Sequence, residues 1–144
     1  MMATPSETIS NKIALSEGPE HEVKMLNSGA DGIMVFEPAV IKISKGDTVN
    51  FKAVDMSHNS ASLEGMIPDG AESWNGALSQ DISITFTEEG VYVYQCTPHA
   101  MMAMVGVIQV GEAVNLDSVK SQASQTKSVF ISNTDRLDDY LSRL

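Results

Sequence analysis

Short apolar segments separated by turn residues restrict the fold of this chain more than any other feature. They occupy residues 21–26, 33–36, 40–43, 48–53, 82–86, 91–94 and 105–110, with Gly or Pro in several of the intervals. In residues 82–86 apolar and polar side chains alternate, as in a strand with one buried face. Many short strands at near-regular spacing predict a mostly β chain folded as a β-sandwich.

The pattern changes after residue 111, where helical periodicity replaces the strands. Asn115 can cap a helix that begins with Leu-Asp-Ser-Val-Lys, and apolar residues then recur at helical spacing at Leu137, Tyr140, Leu141 and Leu144. We therefore expect two C-terminal helices within residues 115–144. Together with the strands they form a single predicted domain, residues 21–144, which suits a chain of 144 residues.

Two segments lack both periods. Residues 65–78 contain one Pro and three Gly residues and are predicted to be irregular, covering one end of the sandwich. Residues 1–20 are rich in Ser, Glu and Pro, which predicts a flexible N-terminal extension. The first ten residues contain no basic region followed by an apolar one, so we recognise no secretory signal in this sequence.

Charge and cysteine content exclude several classes of function. The net charge of −10 repels phosphate backbones, which argues against nucleic acid as a partner. No apolar run approaches the ~20 residues that a membrane-spanning helix needs. The sequence contains one cysteine, so no intramolecular disulfide can form and Cys96 needs another explanation.

The segment Cys96-Thr-Pro-His99-Ala-Met-Met-Ala-Met104 carries the most chemical information. It is a loop between two apolar strands that offers a thiolate, an imidazole and a thioether. A trigonal site of two histidines and one cysteine with a weak axial methionine suits both Cu(I) and Cu(II), and is typical of one-electron transfer. The second histidine required is His58, which ends a strand-like segment. The predicted ligands of one copper ion are therefore His58, Cys96, His99 and Met104.

Several alternatives remain open at this point. Met101 or Met102 could supply the thioether in place of Met104. The third histidine, His21, lies next to the predicted extension and is expected to be a solvated surface residue. Three N and S ligands with an open position would also suit zinc, although a methionine argues against that metal. A copper-handling protein without electron transfer is the other alternative, whereas a copper enzyme would need a second set of histidines.

Beyond the ligands, the sequence resembles the pseudoazurins over residues 21–144. The matching segments are Met25-Leu-Asn27, Met34-Val-Phe-Glu-Pro38, Lys45-Gly-Asp-Thr-Val49, Val54-Asp55, His58-Asn59, Met66-Ile-Pro68, Gly70-Ala-Glu72, Cys96-Thr-Pro-His99, Val110-Gly111 and Asn115-Leu-Asp117. The resemblance implies a cupredoxin-like Greek-key β-sandwich and a type-1 (blue) copper protein. Such a protein is not an enzyme but shuttles single electrons between redox partners, cycling between Cu(II) and Cu(I).

The resemblance also implies roles for residues around the metal. His99 would be the exposed port for electron entry and exit. Asn59 would tie the His58 loop to the cysteine loop, with Pro98 next to the ligands. Met34 either packs against the imidazole of His99 or merely fills the core. The family is periplasmic, which makes the periplasm the expected location.

The sequence departs from the family around the port. Pseudoazurins usually carry a ring of lysines there, but the matching positions hold Ser28, Met56, Asn75, Ala77 and Gln95. We therefore expect a monomer that docks through an apolar patch around His99, Met101 and Met102. Its expected partners are redox proteins, a nitrite reductase or a c-type cytochrome, approached with weak or reversed electrostatic steering.

Overall fold

Two four-stranded sheets pack together in the computed structural model, which describes residues 12–144. Within this range, strands β1 to β8 span Glu20–Gly29, Gly32–Glu37, Val40–Ile43, Thr48–Lys52, Ala61–Ser62, Ile82–Thr85, Gly90–Gln95 and Val105–Val110. The first sheet has the order β2-β1-β4-β6 and the second has the order β3-β8-β7-β5. Strand β1 runs parallel to β4, and β3 runs parallel to β8, whereas the other pairs are antiparallel.

The helices follow the sandwich, as the sequence predicted. Helix α1 spans Leu116–Thr126 and helix α2 spans Arg136–Leu141, and short 3-10 helices occupy Thr97–Met102 and Lys127–Val129. The predicted β-sandwich with two C-terminal helices is therefore confirmed. Strand β5 was not predicted, because two residues are too few to show a period of two.

Burial along the strands reflects which faces are covered. In β1, His21, Val23 and Met25 are buried while Glu22 and Lys24 are exposed, because the sheet has one face on the core. Every residue of β8 is buried, because the sandwich core covers one face and the C-terminal helices cover the other. The helices therefore act as a second covering layer for the sheet that leads into residues 96–104.

Part of the predicted N-terminal extension contacts the sandwich and the C-terminal end of the chain. Ser16 donates its N–H to the carbonyl of Lys42 at 2.8 Å, and Ile13 donates to the carbonyl of Arg143 at 2.8 Å. Residues 1–11 of the extension lie outside the described residues. The division of the chain into an extension and a domain beginning at residue 21 remains a prediction.

The prediction for His21 is wrong. This side chain is buried, and it lies between Ser16 and Asp47. The Nε2–H donates to Asp47 Oδ2 at 2.9 Å, and Nδ1 lies 3.0 Å from Ser16 Oγ. No sequence pattern predicts this contact, because Ser16 belongs to the predicted extension and Asp47 to the turn between β3 and β4. Within residues 12–144, no helix is long and apolar enough to cross a membrane.

Acid should weaken the His21–Asp47 contact. The hydrogen bond from His21 lowers the pKa of Asp47 below its usual 3.8, aided by the Ser44 N–H at 3.0 Å. A carboxylate whose pKa is lower in the folded state stabilises the fold above its unfolded pKa, and this contribution disappears as the pH falls through the folded value.

We therefore expect Asp47→Asn to lower the free energy of unfolding at pH 7 by about 1–3 kcal/mol, because the charged acceptor is lost. Urea unfolding at several pH values measures this. The difference from the unsubstituted protein should shrink below pH ~4. The exposed Asp69→Asn is the matched control and should change stability little at any pH. An equal effect of Asp47→Asn at pH 7 and pH 3 would contradict the expectation.

Candidate metal centre

Three predicted ligands converge at one end of the sandwich. The ligand atoms of His58, Cys96 and His99 all lie within 4.8 Å of one another. The Sγ of Cys96 is 3.5 Å from His58 Nδ1 and 3.3 Å from His99 Nδ1. The two imidazole rings are tilted by 51° with centroids 4.8 Å apart. Two nitrogens and one sulfur therefore surround a common point.

The loop after β7 returns on itself and brings Met104 beside Cys96. The Cys96 N–H donates to the Met104 carbonyl at 2.9 Å, and the Met104 N–H donates to the His99 carbonyl at 3.4 Å. Pro98 is the second residue of the 3-10 helix, in the first turn, where its missing N–H costs nothing. Ala103 then takes a left-handed φ of 57° and ends the helix. A short, tightly turned loop thus holds both sulfur residues.

Burial distinguishes the three methionines of this loop. Met104 is fully buried, whereas Met101 is 55% exposed and Met102 is half-buried. A thioether that binds a metal out of contact with water must be buried, so Met104 suits the role better than its neighbours. Met101 instead contributes apolar surface.

Asn27 orients His58, a role that the sequence analysis missed. The Nε2–H of His58 donates to Asn27 Oδ1 at 2.7 Å, which leaves Nδ1 to face Cys96. Asn27 is held in turn by Asp55, whose carboxylate accepts the Asn27 N–H at 2.7 Å. Asn27 lies in a segment that resembles the family, but nothing in its spacing connects it to His58, because the two residues meet only through folding.

Asn59 joins the two loops that carry the ligands. Its Nδ2 donates to the Gly76 carbonyl at 3.0 Å and to Thr97 Oγ1 at 3.2 Å. Its Oδ1 accepts the Thr97 N–H at 2.7 Å. Because Asn59 follows His58 and Thr97 follows Cys96, these hydrogen bonds hold the histidine and the cysteine at a fixed position relative to each other.

Met34 lies in β2 with an unusual backbone. Its φ is 53°, in the left-handed region that a side chain rarely adopts. The side chain is half-buried and packs against the core between the sheets. Its carbonyl accepts a hydrogen bond from Arg136 Nη1 at 2.9 Å. Contact between Met34 and the imidazole of His99 remains a prediction.

The electrostatics of the site favour neutral side chains. Burial raises the pKa of the Cys96 thiol, and backbone hydrogen bonds from Asn59 and His99 oppose this increase without cancelling it. Burial and the neighbouring His99 lower the pKa of His58. Neutral imidazole is the form that binds metals, and a buried thiolate needs a cation beside it. Two imidazoles, one cysteine and a nearby thioether are a soft donor set that fits copper.

Comparison with known proteins identifies the family. Residues 23–111 match the copper binding proteins of the plastocyanin/azurin family. Pseudoazurin from Paracoccus pantotrophus is 44% identical over 109 residues, which is 75% of each chain.

Solved structures give the same picture. The crystal structure of pseudoazurin from Methylobacterium extorquens AM1 is 38% identical, with a TM-score of 0.76 over 86% of this chain and 98% of that one. A Cu-containing nitrite reductase from Thermus scotoductus SA-01 is 28% identical, with a TM-score of 0.52 over 70% of this chain and 24% of that chain.

The function follows from this membership. The protein binds copper and transfers single electrons through a type-1 centre, acting as a carrier between redox partners and not as an enzyme. The alternatives of a zinc protein or of a copper-handling protein without electron transfer are not favoured. The chain belongs to the plastocyanin/azurin family of copper-binding proteins, and within it to the pseudoazurins.

Proposed function

We propose that His58, Cys96, His99 and Met104 hold the copper ion, one per chain, and that electrons enter and leave through His99. The observation that carries this assignment is the approach of Cys96 Sγ to both histidine Nδ1 atoms, at 3.5 and 3.3 Å, beside a fully buried Met104. Copper bound here supplies a one-electron couple. The protein holds its ligands in one arrangement for both oxidation states and keeps water away from them.

Differences in burial assign separate tasks to the two histidines. His58 is completely buried and its second nitrogen is used by Asn27, so it can only hold the metal. His99 is partly exposed, which brings its ring close to any protein that docks on this end. The shortest path for an electron from a docked partner therefore passes through the His99 imidazole.

The surface around His99 suits apolar docking. Met101, two residues after His99, is 55% exposed, and Met56, two residues before His58, is 77% exposed, which is unusual for such large apolar side chains. The net charge of −10 and the missing lysines favour a partner with a neutral or positive face, so steering is weak or reversed relative to a lysine-ringed protein.

Under the same proposal, the redox partner that docks here is a nitrite reductase or a c-type cytochrome. We also propose that the protein is a monomer and is located in the periplasm. It docks through the apolar patch around His99, Met101 and Met102.

Addition of Cu(II) to the metal-free protein tests the assignment. We expect an intense thiolate-to-copper band in the visible spectrum that saturates at one copper per chain and bleaches with ascorbate. Addition of Zn(II) to a second sample measures competition for the same residues. A weak, pale copper band that ascorbate does not bleach would refute the type-1 centre. The alternatives of zinc binding or copper handling without electron transfer would then be favoured.

Loss of Asn27 should weaken copper binding. We expect Asn27→Leu to lower copper affinity about 10–100-fold, because His58 loses the acceptor that fixes its ring. Competition with a chelator of known affinity measures the change. Asn50→Leu is the matched control, because Asn50 bonds Glu20 and Ser83 on the exposed side of the first sheet. Equal affinities of the two variants would exclude an orienting role for Asn27.

A further inference from the structure

Residues 131–136, which lead into α2 and include its first residue, contact the end of the metal loop in an unusual way. Three consecutive carbonyls precede Met104, and each accepts hydrogen bonds from residues 131–136. The Met101 carbonyl accepts from the Ile131 N–H at 2.7 Å, and the Met102 carbonyl accepts from Asn133 Nδ2 at 3.2 Å. The Ala103 carbonyl accepts from Arg136 Nη1 at 3.3 Å. The C-terminal segment therefore determines where these carbonyls lie.

Arg136 also binds the hairpin formed by β1 and β2. Its guanidinium donates to the carbonyls of Asp31 at 3.3 Å, Ile33 at 3.1 Å and Met34 at 2.9 Å. Strand β2 is an edge of its sheet, and an edge strand leaves backbone carbonyls without ladder partners. One side chain thus connects the hairpin that carries Met34 to the residue immediately before Met104.

The backbone around Arg136 leaves a fitted, buried space for its guanidinium. Arg136 is only 9% exposed, and none of the ion pairs found among residues 12–144 includes it. Gly32 faces it with a φ of 118°, and a Cβ at that position would lie 3.3 Å from Arg136 Nη2. A buried cation with neutral acceptors gains little stability for its desolvation cost. The planar guanidinium of arginine, however, donates hydrogen bonds to several carbonyls in fixed directions.

We propose that Arg136 is a positioning residue for the copper centre, which fixes the Met104 end of the metal loop against the β1–β2 hairpin. Asn133 and Ile131 complete this C-terminal clamp, defined by residues 131–136. The inference rests on the proposed ligand role of Met104. A movement of Ala103 would move Met104 and, through the Met104–Cys96 hydrogen bond, the cysteine as well. The clamp therefore controls how closely the thioether approaches the metal.

Spectra of the copper-loaded variants test the proposal. We expect Arg136→Met to change the position and intensity of the thiolate-to-copper band and the copper hyperfine splitting in electron paramagnetic resonance. We expect the reduction potential to change by about 59 mV, which corresponds to a tenfold change in the ratio of Cu(II) and Cu(I) affinities. Arg136→Lys keeps the positive charge but loses the planar guanidinium with its several N–H donors, so it should show the same spectral change to a smaller extent.

Controls separate positioning from general stability. Arg143→Met makes the same substitution just beyond α2, where the guanidinium bonds the exposed Asp139, and it should leave spectra and potential unchanged. Should Arg136→Met fail to fold, Asn133→Gly removes one hydrogen bond of the clamp. Glycine accepts the left-handed φ of 54° at that position. It should give a smaller spectral change of the same kind.

Amide hydrogen exchange of the metal-free protein gives a readout that does not depend on copper. We expect exchange at Cys96 and Met104 to be about tenfold faster in the Arg136 variants, with the amides of β8 changed less. Unchanged spectra, potential and exchange in folded Arg136→Met and Arg136→Lys would overturn the positioning role while leaving the copper centre intact. A missing charge-transfer band in the unsubstituted protein would instead refute the proposed ligands.

Discussion

Replacement of Cys96 by serine is expected to abolish the intense visible band of the copper protein completely. The band arises from charge transfer between a thiolate and copper, and the sequence contains only one cysteine. Serine has nearly the same size but remains protonated, so it cannot replace a soft thiolate ligand. Visible absorption after addition of Cu(II), before and after ascorbate, measures the effect.

The control for this variant keeps the thiolate and alters the same loop. Ala100→Ser adds a hydroxyl at the half-buried residue that follows His99, removes no proposed ligand and should retain the band. Far-UV circular dichroism verifies that Cys96→Ser is folded, because a buried hydroxyl without a partner costs about 1–3 kcal/mol. A band of unchanged intensity in folded Cys96→Ser would rule out Cys96 as the copper ligand.

Gly106→Ala is expected to be the most destabilising small substitution in the sandwich. Gly106 of β8 pairs with Tyr94 of β7, and the tyrosine ring lies across the glycine. A Cβ at position 106 would overlap the Cζ and hydroxyl oxygen of Tyr94. The ring cannot move aside, because Phe36 and Phe51 pack against it with centroids 4.7 and 5.0 Å away. We therefore expect a loss of about 3 kcal/mol or more.

Thermal unfolding of the metal-free protein measures this loss, which should lower the midpoint by roughly 10 °C. Gly76→Ala is the control, because a Cβ there lies 3.2 Å from the Ser60 carbonyl and 3.3 Å from the Ile82 side chain, contacts that a shift of a few tenths of an ångström relieves. In a Tyr94→Leu background, Gly106→Ala should cost much less, because the ring is absent. Equal costs in both backgrounds would show that the Tyr94 ring is not the cause.

The strands and the loop that carries three of the proposed ligands were predictable because they depend on local patterns. Short apolar segments bounded by turn residues favour β-strands, and the predicted segments 40–43 and 105–110 agree with strands β3 and β8 to the residue. Cys96, His99 and Met104 share one short loop, so their spacing alone predicted a common site. His58 was predicted because few histidines were available.

The metal loop and the strand pattern were thus determined by the sequence alone, since nearest neighbours along the chain carry that information. The orientation of His58 by Asn27, the burial of His21 between Ser16 and Asp47, and the contacts of Arg136 were decided only by the tertiary structure. Arg136 and Met34 are 102 residues apart. Hydrogen bonds of this kind need donors and acceptors within ~3 Å, and no period or spacing in a sequence specifies that proximity.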